Sequence, residues 1–157
     1  MIDSDWLVGE AETWLAAREP GQPRQTKLKR IVSDLYYALF HALCRQVADL
    51  HVGATAVIRS SKRYALMYRA LDHSRIKKVM QDVAKVGDAS EEAVLVAATF
   101  IALQEARHKA DYDPHARFRL SQVKAFASDT RRAISVLGHG FTEKELLLTR
   151  LIANSRP

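Results

Sequence analysis

The stretch "TKLKRIVSDLYYALFHALCRQVADL", Thr26 to Leu50, decides the fold. Within it Leu28, Ile31, Val32, Leu35, Tyr36, Leu39, Ala42 and Leu43 recur at intervals of three and four, the spacing of one helix face. Gly53 marks where this long helix ends.

Working outward, every neighbouring segment reads as helix too. Upstream, residues 4 to 18 form a short helix with Trp6, Leu7, Trp14 and Leu15 apolar and Ser4 as its N-cap, and "EPGQPRQ", Glu19 to Gln25, stops it. Downstream, Ser60 to Val86 is more polar, with a thinner stripe through Tyr64, Met67, Tyr68, Leu71, Ile76, Val79, Met80 and Val83 and a break near Asp72-His73-Ser74. Ser90 is an N-cap, followed by Glu91 and Glu92 where negative charge complements the helix dipole. From Ala93 to Leu103 the chain is apolar nearly all round, which places that helix at the centre of a bundle. Pro114 breaks the chain before a helix from His115 to Leu137, and "GHG" closes it. Thr142-x-x-Glu145 has the capping-box pattern and opens a last helix to about Ile152. No strand run, repeat or low-complexity tract occurs. The expected fold is all-α, a compact antiparallel helical bundle in one domain, with its core at residues 25–137 and short helices at 4–18 and 142–152.

A chain of 157 residues can bury a real core. The one cysteine, Cys44, lies in an apolar run and has no partner for an internal disulfide, so a reducing cytoplasm is the expected compartment. The acidic start "MIDSDWLVGEAE" lacks the positive charge of a signal peptide, and no apolar run is long enough to span a bilayer. The formal charge of +6 is unevenly distributed. Arg59, Lys62, Arg63, Arg69, Arg75, Lys77 and Lys78 form one basic group, and Arg107, Lys109, Arg117, Arg119, Lys124, Arg131 and Arg132 a second. On one face they would attract phosphates; on separate faces they are a solvated surface.

The second group surrounds "FIALQEARHKADYDPHARFRL", Phe100 to Leu120, where an apolar helix ends among arginine, histidine, aspartate and tyrosine side chains. Arg107 stands at the end of the central helix and His115 at the expected start of the next, whose free N–H groups and dipole can hold an anion. The structural alternatives are plain. Arg107 can serve the last carbonyls or pair with Asp111 four residues on, and His115 can be a surface histidine. His41, His73 and His139 read as satisfied structural histidines, and Tyr36 and Tyr37 as packing residues with one hydroxyl bonded. His108, Asp111 and His115 make a poor zinc set, so neither metal nor cofactor is expected.

"KRIVSDLYYALFHAL", Lys29 to Leu43, followed downstream by "DHSRIKKVM", Asp72 to Met80, and "EARHKADYD", Glu105 to Asp113, resembles the HEPN superfamily of small prokaryotic helical domains, over roughly residues 25–135. That resemblance implies a four-helix core, a homodimer, and metal-independent endoribonuclease activity on single-stranded RNA in toxin–antitoxin or anti-phage systems. It carries Arg107 onto the family's catalytic arginine and His108 onto the polar residue after it. The family's histidine stands closer to the arginine than His115 does, since seven residues separate His115 from Arg107. The chemistry assigns base and acid roles to His108 and His115 and phosphorane stabilisation to Arg107. Asp111 would orient a histidine or lock Arg107, Tyr112 would bond a phosphate or stack on a base, and Lys109 and Arg117 would hold the RNA. The alternative is a HEPN binding module, without cleavage, for RNA, a nucleotide or a nucleotidyltransferase antitoxin; a purely structural adaptor is a third reading.

Overall fold

A computed structural model of the chain describes residues 1–17, 21 and 24–153. Among them it contains eight helices and no strand: α1 (Ser4–Ala16), α2 (Gln25–His51), α3 (Ala56–Arg59), α4 (Lys62–Tyr68), α5 (His73–Lys85), α6 (Glu91–Tyr112), α7 (Leu120–His139) and α8 (Lys144–Ile152). The all-α helical bundle read from periodicity is the observed fold. Most of the stop segment Glu19–Gln25, and Arg18 with which the first helix was expected to end, lie outside the described residues.

The long amphipathic helix α2, about 40 Å at 1.5 Å per residue, is the axis of the bundle. It packs against α1, α4, α6, α7 and α8. Residues from Leu28 to Ala48 on its inner face are buried, with Leu35, Tyr36, Leu39 and Leu43 fully so. α6 runs antiparallel to it: Lys29 meets Asp113, Ser33 meets Asp111, and Tyr36 meets Arg107 and Phe100. α5 and α6, joined by a short connection, pack side by side, and α7 with α1 closes the other flank of α2. α6 is central but not wholly enclosed, for Val94, Ala98 and Ala102, spaced by one turn each, remain exposed.

Local chemistry explains where the elements begin. Asp3, rather than Ser4, caps α1 by accepting from the Trp6 N–H at 3.0 Å, because an aspartate one position earlier reaches that donor. Asp72 caps α5 with both the Ser74 and Arg75 N–H groups, so the expected break falls just before His73. Ser90 caps α6 as expected, accepting from the Ala93 N–H at 3.2 Å.

α7 starts at Leu120, five residues later than His115. The Asp113 carboxylate takes the His115 N–H in a tight turn (2.8 Å), and the Gln25 side chain donates to the Phe118 carbonyl and accepts from its N–H at 2.9 and 2.8 Å. These bonds hold residues 113–119 out of a helix, so His115 has no helix N-terminus to offer. The Thr142-x-x-Glu145 box does not form. α8 begins at Lys144 without a side-chain cap, and Glu143 instead accepts from the Ser90 N–H at 3.0 Å, tying the starts of α6 and α8 together.

The short helices α3 and α4 have little core of their own and are held by Asp49 of α2. Its carboxylate accepts from Arg59 Nε and Nη2 at 2.9 and 2.7 Å and from the Tyr64 hydroxyl at 2.9 Å. These donors, with burial opposing them, hold Asp49 below the usual carboxylate range. Asp49→Ala is expected to cost about 1–3 kcal/mol, because it leaves Tyr64 and Arg59 without their acceptor. In a denaturant-unfolding cycle with Arg59→Ala the two losses will fall short of additive; additive losses would mean the clamp is not one unit.

Candidate functional site at the junction of α2, α5 and α6

Arg107 lies five residues before the end of α6, and α2 builds its seat. Arg107 Nε donates to Asp111 Oδ2 at 2.9 Å, and Asp111 Oδ1 accepts from the Ser33 hydroxyl at 3.0 Å. The guanidinium carbon stands 5.4 Å from the Tyr36 ring centroid and 5.1 Å from that of Tyr37. A carboxylate and two π-faces thus fix a cation whose side chain is still one-quarter exposed. Lys29 closes the end of α6 by donating to the Asp113 carbonyl at 3.1 Å.

Behind Arg107 lies an aromatic and imidazole cluster. The Tyr36 hydroxyl bonds His73 Nδ1, the His73 ring stacks on Phe40 at 4.1 Å, and His41 Nδ1 meets the Tyr68 hydroxyl at 2.8 Å. Burial pushes the Tyr36 and Tyr68 phenols up to about 12, so both remain protonated. Burial, then the charge of Arg107, lowers the pKa of His73; burial, then His73, lowers that of His41.

In front of Arg107, α5 and α6 enclose an open cleft of about 480 Å³. Lys77 and Lys78 line it from α5, and Arg107, His108 and Lys109 from α6, with Glu105 as the one acid among the described residues.

The expected site residues divide accordingly. Arg107, His108 and Lys109 share the cleft. Asp111 is the clamp that locks Arg107. Tyr112 is 69% exposed at the end of α6, its ring 5.0 Å from that of His108. His115 and Arg117 sit exposed in the α6–α7 connection and do not line the cleft. The two basic groups share a face only in part. Lys77 and Lys78 meet Arg107 and Lys109, whereas Arg59 is taken by Asp49, Arg131 by Glu12 and Asp5, and Arg132 faces Asp129 at 3.7 Å. His73, read as structural, turns out to be the imidazole coupled to Arg107 through Tyr36. The available signal was Asp72 as an N-cap, which puts His73 at the start of a helix, but nothing local aims it at α2. Cys44 is buried, and burial raises its thiol to about 12, which leaves it inert.

Among the described residues no three histidine, cysteine, aspartate or glutamate side chains converge on one point, and no helix is long and apolar enough to cross a membrane. No family model, curated protein or solved structure matches the chain.

Two half-buried imidazoles with lowered pKa values make stability depend on pH. Their contribution is complete above the ordinary histidine value of 6.5 and is lost as pH falls through the lower folded-state values, because the unfolded chain binds those protons first. Urea unfolding between about pH 7.5 and 5 should show stability falling with pH, and His73→Asn should flatten that slope while lowering the plateau. An unchanged slope would show that His73 is not held neutral.

Proposed function

We propose that the protein is a HEPN-type, metal-independent endoribonuclease that binds single-stranded RNA by its phosphates in the α5–α6 cleft and acts as a homodimer in a toxin–antitoxin or anti-phage setting. The observation that carries this reading is the immobilised Arg107. Its Nε is taken by Asp111 and it stands over two tyrosine rings, while Arg107 lines a cleft shared with Lys77, Lys78, Lys109 and His108.

In that cleft a phosphodiester would lie against a cation that needs no reorganisation to stabilise the phosphorane. A base takes the proton of the 2′-hydroxyl, the 2′-oxygen attacks phosphorus, and the bond to the 5′-oxygen breaks as an acid protonates it. The products are a 2′,3′-cyclic phosphate and a free 5′-hydroxyl. His108 supplies one imidazole at the cleft; the other belongs to His115 on the adjoining turn or to the second copy of the chain, which is why the reading includes a dimer. The pair of half-buried His73 and buried Tyr36 holds Arg107 in place rather than touching RNA. One observation favours the alternative, an RNA-binding or antitoxin-binding module without cleavage: His115 is kept off the cleft by the Asp113 turn.

The test is labelled single-stranded RNA incubated in EDTA with wild type, Arg107→Ala, His108→Ala and His115→Ala. Cleavage with cyclic-phosphate ends is expected, with Arg107→Ala reducing the rate by about 10²–10³ and His108→Ala by about 10²–10⁴. Binding should weaken with salt at a log–log slope of about −0.7 per phosphate held, and Lys77→Ala or Lys78→Ala should shallow it. Binding without cleavage would establish the module; neither would remove RNA as the ligand.

A further inference from the structure

The two tryptophans of the chain, Trp6 and Trp14, both line an open groove of about 1090 Å³ between α1 and the first turns of α2. Trp6 is 62% exposed, and Lys27 Nζ stands 5.6 Å over the Trp14 ring. Arg24 and Arg30 also face the groove. Glu10 and Asp34 face it as well, Asp34 being opposed by Arg30 at 3.7 Å, so among the described residues three positive charges line it against two negative. Leaving the Trp6 indole in water forgoes its burial, and a groove that combines it with the half-buried Trp14 and with cations has the make-up of a platform for stacked bases and their phosphates.

Two residues of the groove also neighbour, along α2, the residues that tie down the end of α6. Lys29 and Ser33 of α2 bond to the end of α6, while Arg30 and Asp34, the next residue after each, line the groove. The same two turns of α2 therefore carry groove residues and the residue that seats Asp111, the partner of Arg107.

We propose that the α1–α2 groove is a base-stacking subsite in which Trp6 and Trp14 hold unpaired nucleotides flanking those in the α5–α6 cleft, with Arg24 and Lys27 on their phosphates. This rests on the single-stranded RNA reading above and adds to it a second contact point for the same strand. Its volume accommodates one or two nucleotides by comparison with ordinary ligand pockets of roughly 300–1,000 Å³.

Because no other tryptophan exists in the chain, selectively excited tryptophan emission reports on this groove alone. Trp6→Phe and Trp14→Phe, each keeping one indole, would be titrated with a single-stranded oligoribonucleotide and with an abasic oligomer of the same length, while anisotropy of the labelled oligomer reports total binding. The expected result is quenching of both indoles by the base-bearing strand, little by the abasic one, and a loss of roughly tenfold in affinity for Trp6→Ala with the base-bearing strand only. Binding that Arg107→Ala weakens, without any change in tryptophan emission, would overturn the groove and leave the cleft standing. Quenching that survives Arg107→Ala at full affinity would keep the groove and remove the cleft. A tryptophan shift that follows protein concentration with no RNA present would overturn the subsite and make the groove a contact between two copies.

Discussion

The structure turns on burying one phenol. Tyr36 lies on the inner face of α2, fully buried, with Tyr37, Phe40, Phe100 and His73 around its ring. A hydroxyl taken out of water needs a partner, and here the partner is His73 Nδ1 at the first residue of α5. That bond ties the first residue of α5, whose start Asp72 caps, to α2, and the ring also provides a face for the Arg107 guanidinium. Core packing, the start of α5 and the seat of the site's main cation are thus one arrangement, and loosening Tyr36 would disturb all three.

The site inherits its properties from that arrangement. Arg107 is charged at any relevant pH, and a fixed cation close to His73 works with burial to keep that imidazole neutral. Asp111 and Ser33 add a polar clamp on the other side, so the guanidinium has little freedom left to lose when it meets a ligand. A mobile lysine would give the same charge without this preorganisation. The free lysines of the cleft, by contrast, are suited to attraction rather than positioning.

Much of this was legible in the residues. The three-and-four spacing of α2 announced both the helix and its buried face, and Ser90 announced the start of α6, because periodicity and capping act within one or two turns. The turn from Asp113 was less legible. Pro114 promised a break, but the length of the extended stretch depends on Gln25, distant in sequence, bonding both backbone groups of Phe118. Thr142-x-x-Glu145 misled for a similar reason: Glu143 between them is drawn to Ser90, and the helix starts after it.

By itself, then, the sequence determined the helical class, the inward faces and most helix ends, since each follows from backbone chemistry over a few neighbouring residues. It also placed Arg107, His108, Lys109 and Asp111 together, because they share barely more than one turn. Only the tertiary structure decided which histidine stands behind Arg107, which arginines are spent on carboxylates and which cations line a cleft. Those outcomes depend on helix pairings that bring Tyr36, His73 and Arg107 from three separate helices within reach. Burial and ion pairing are settled by such neighbours in space, and no local pattern encodes them.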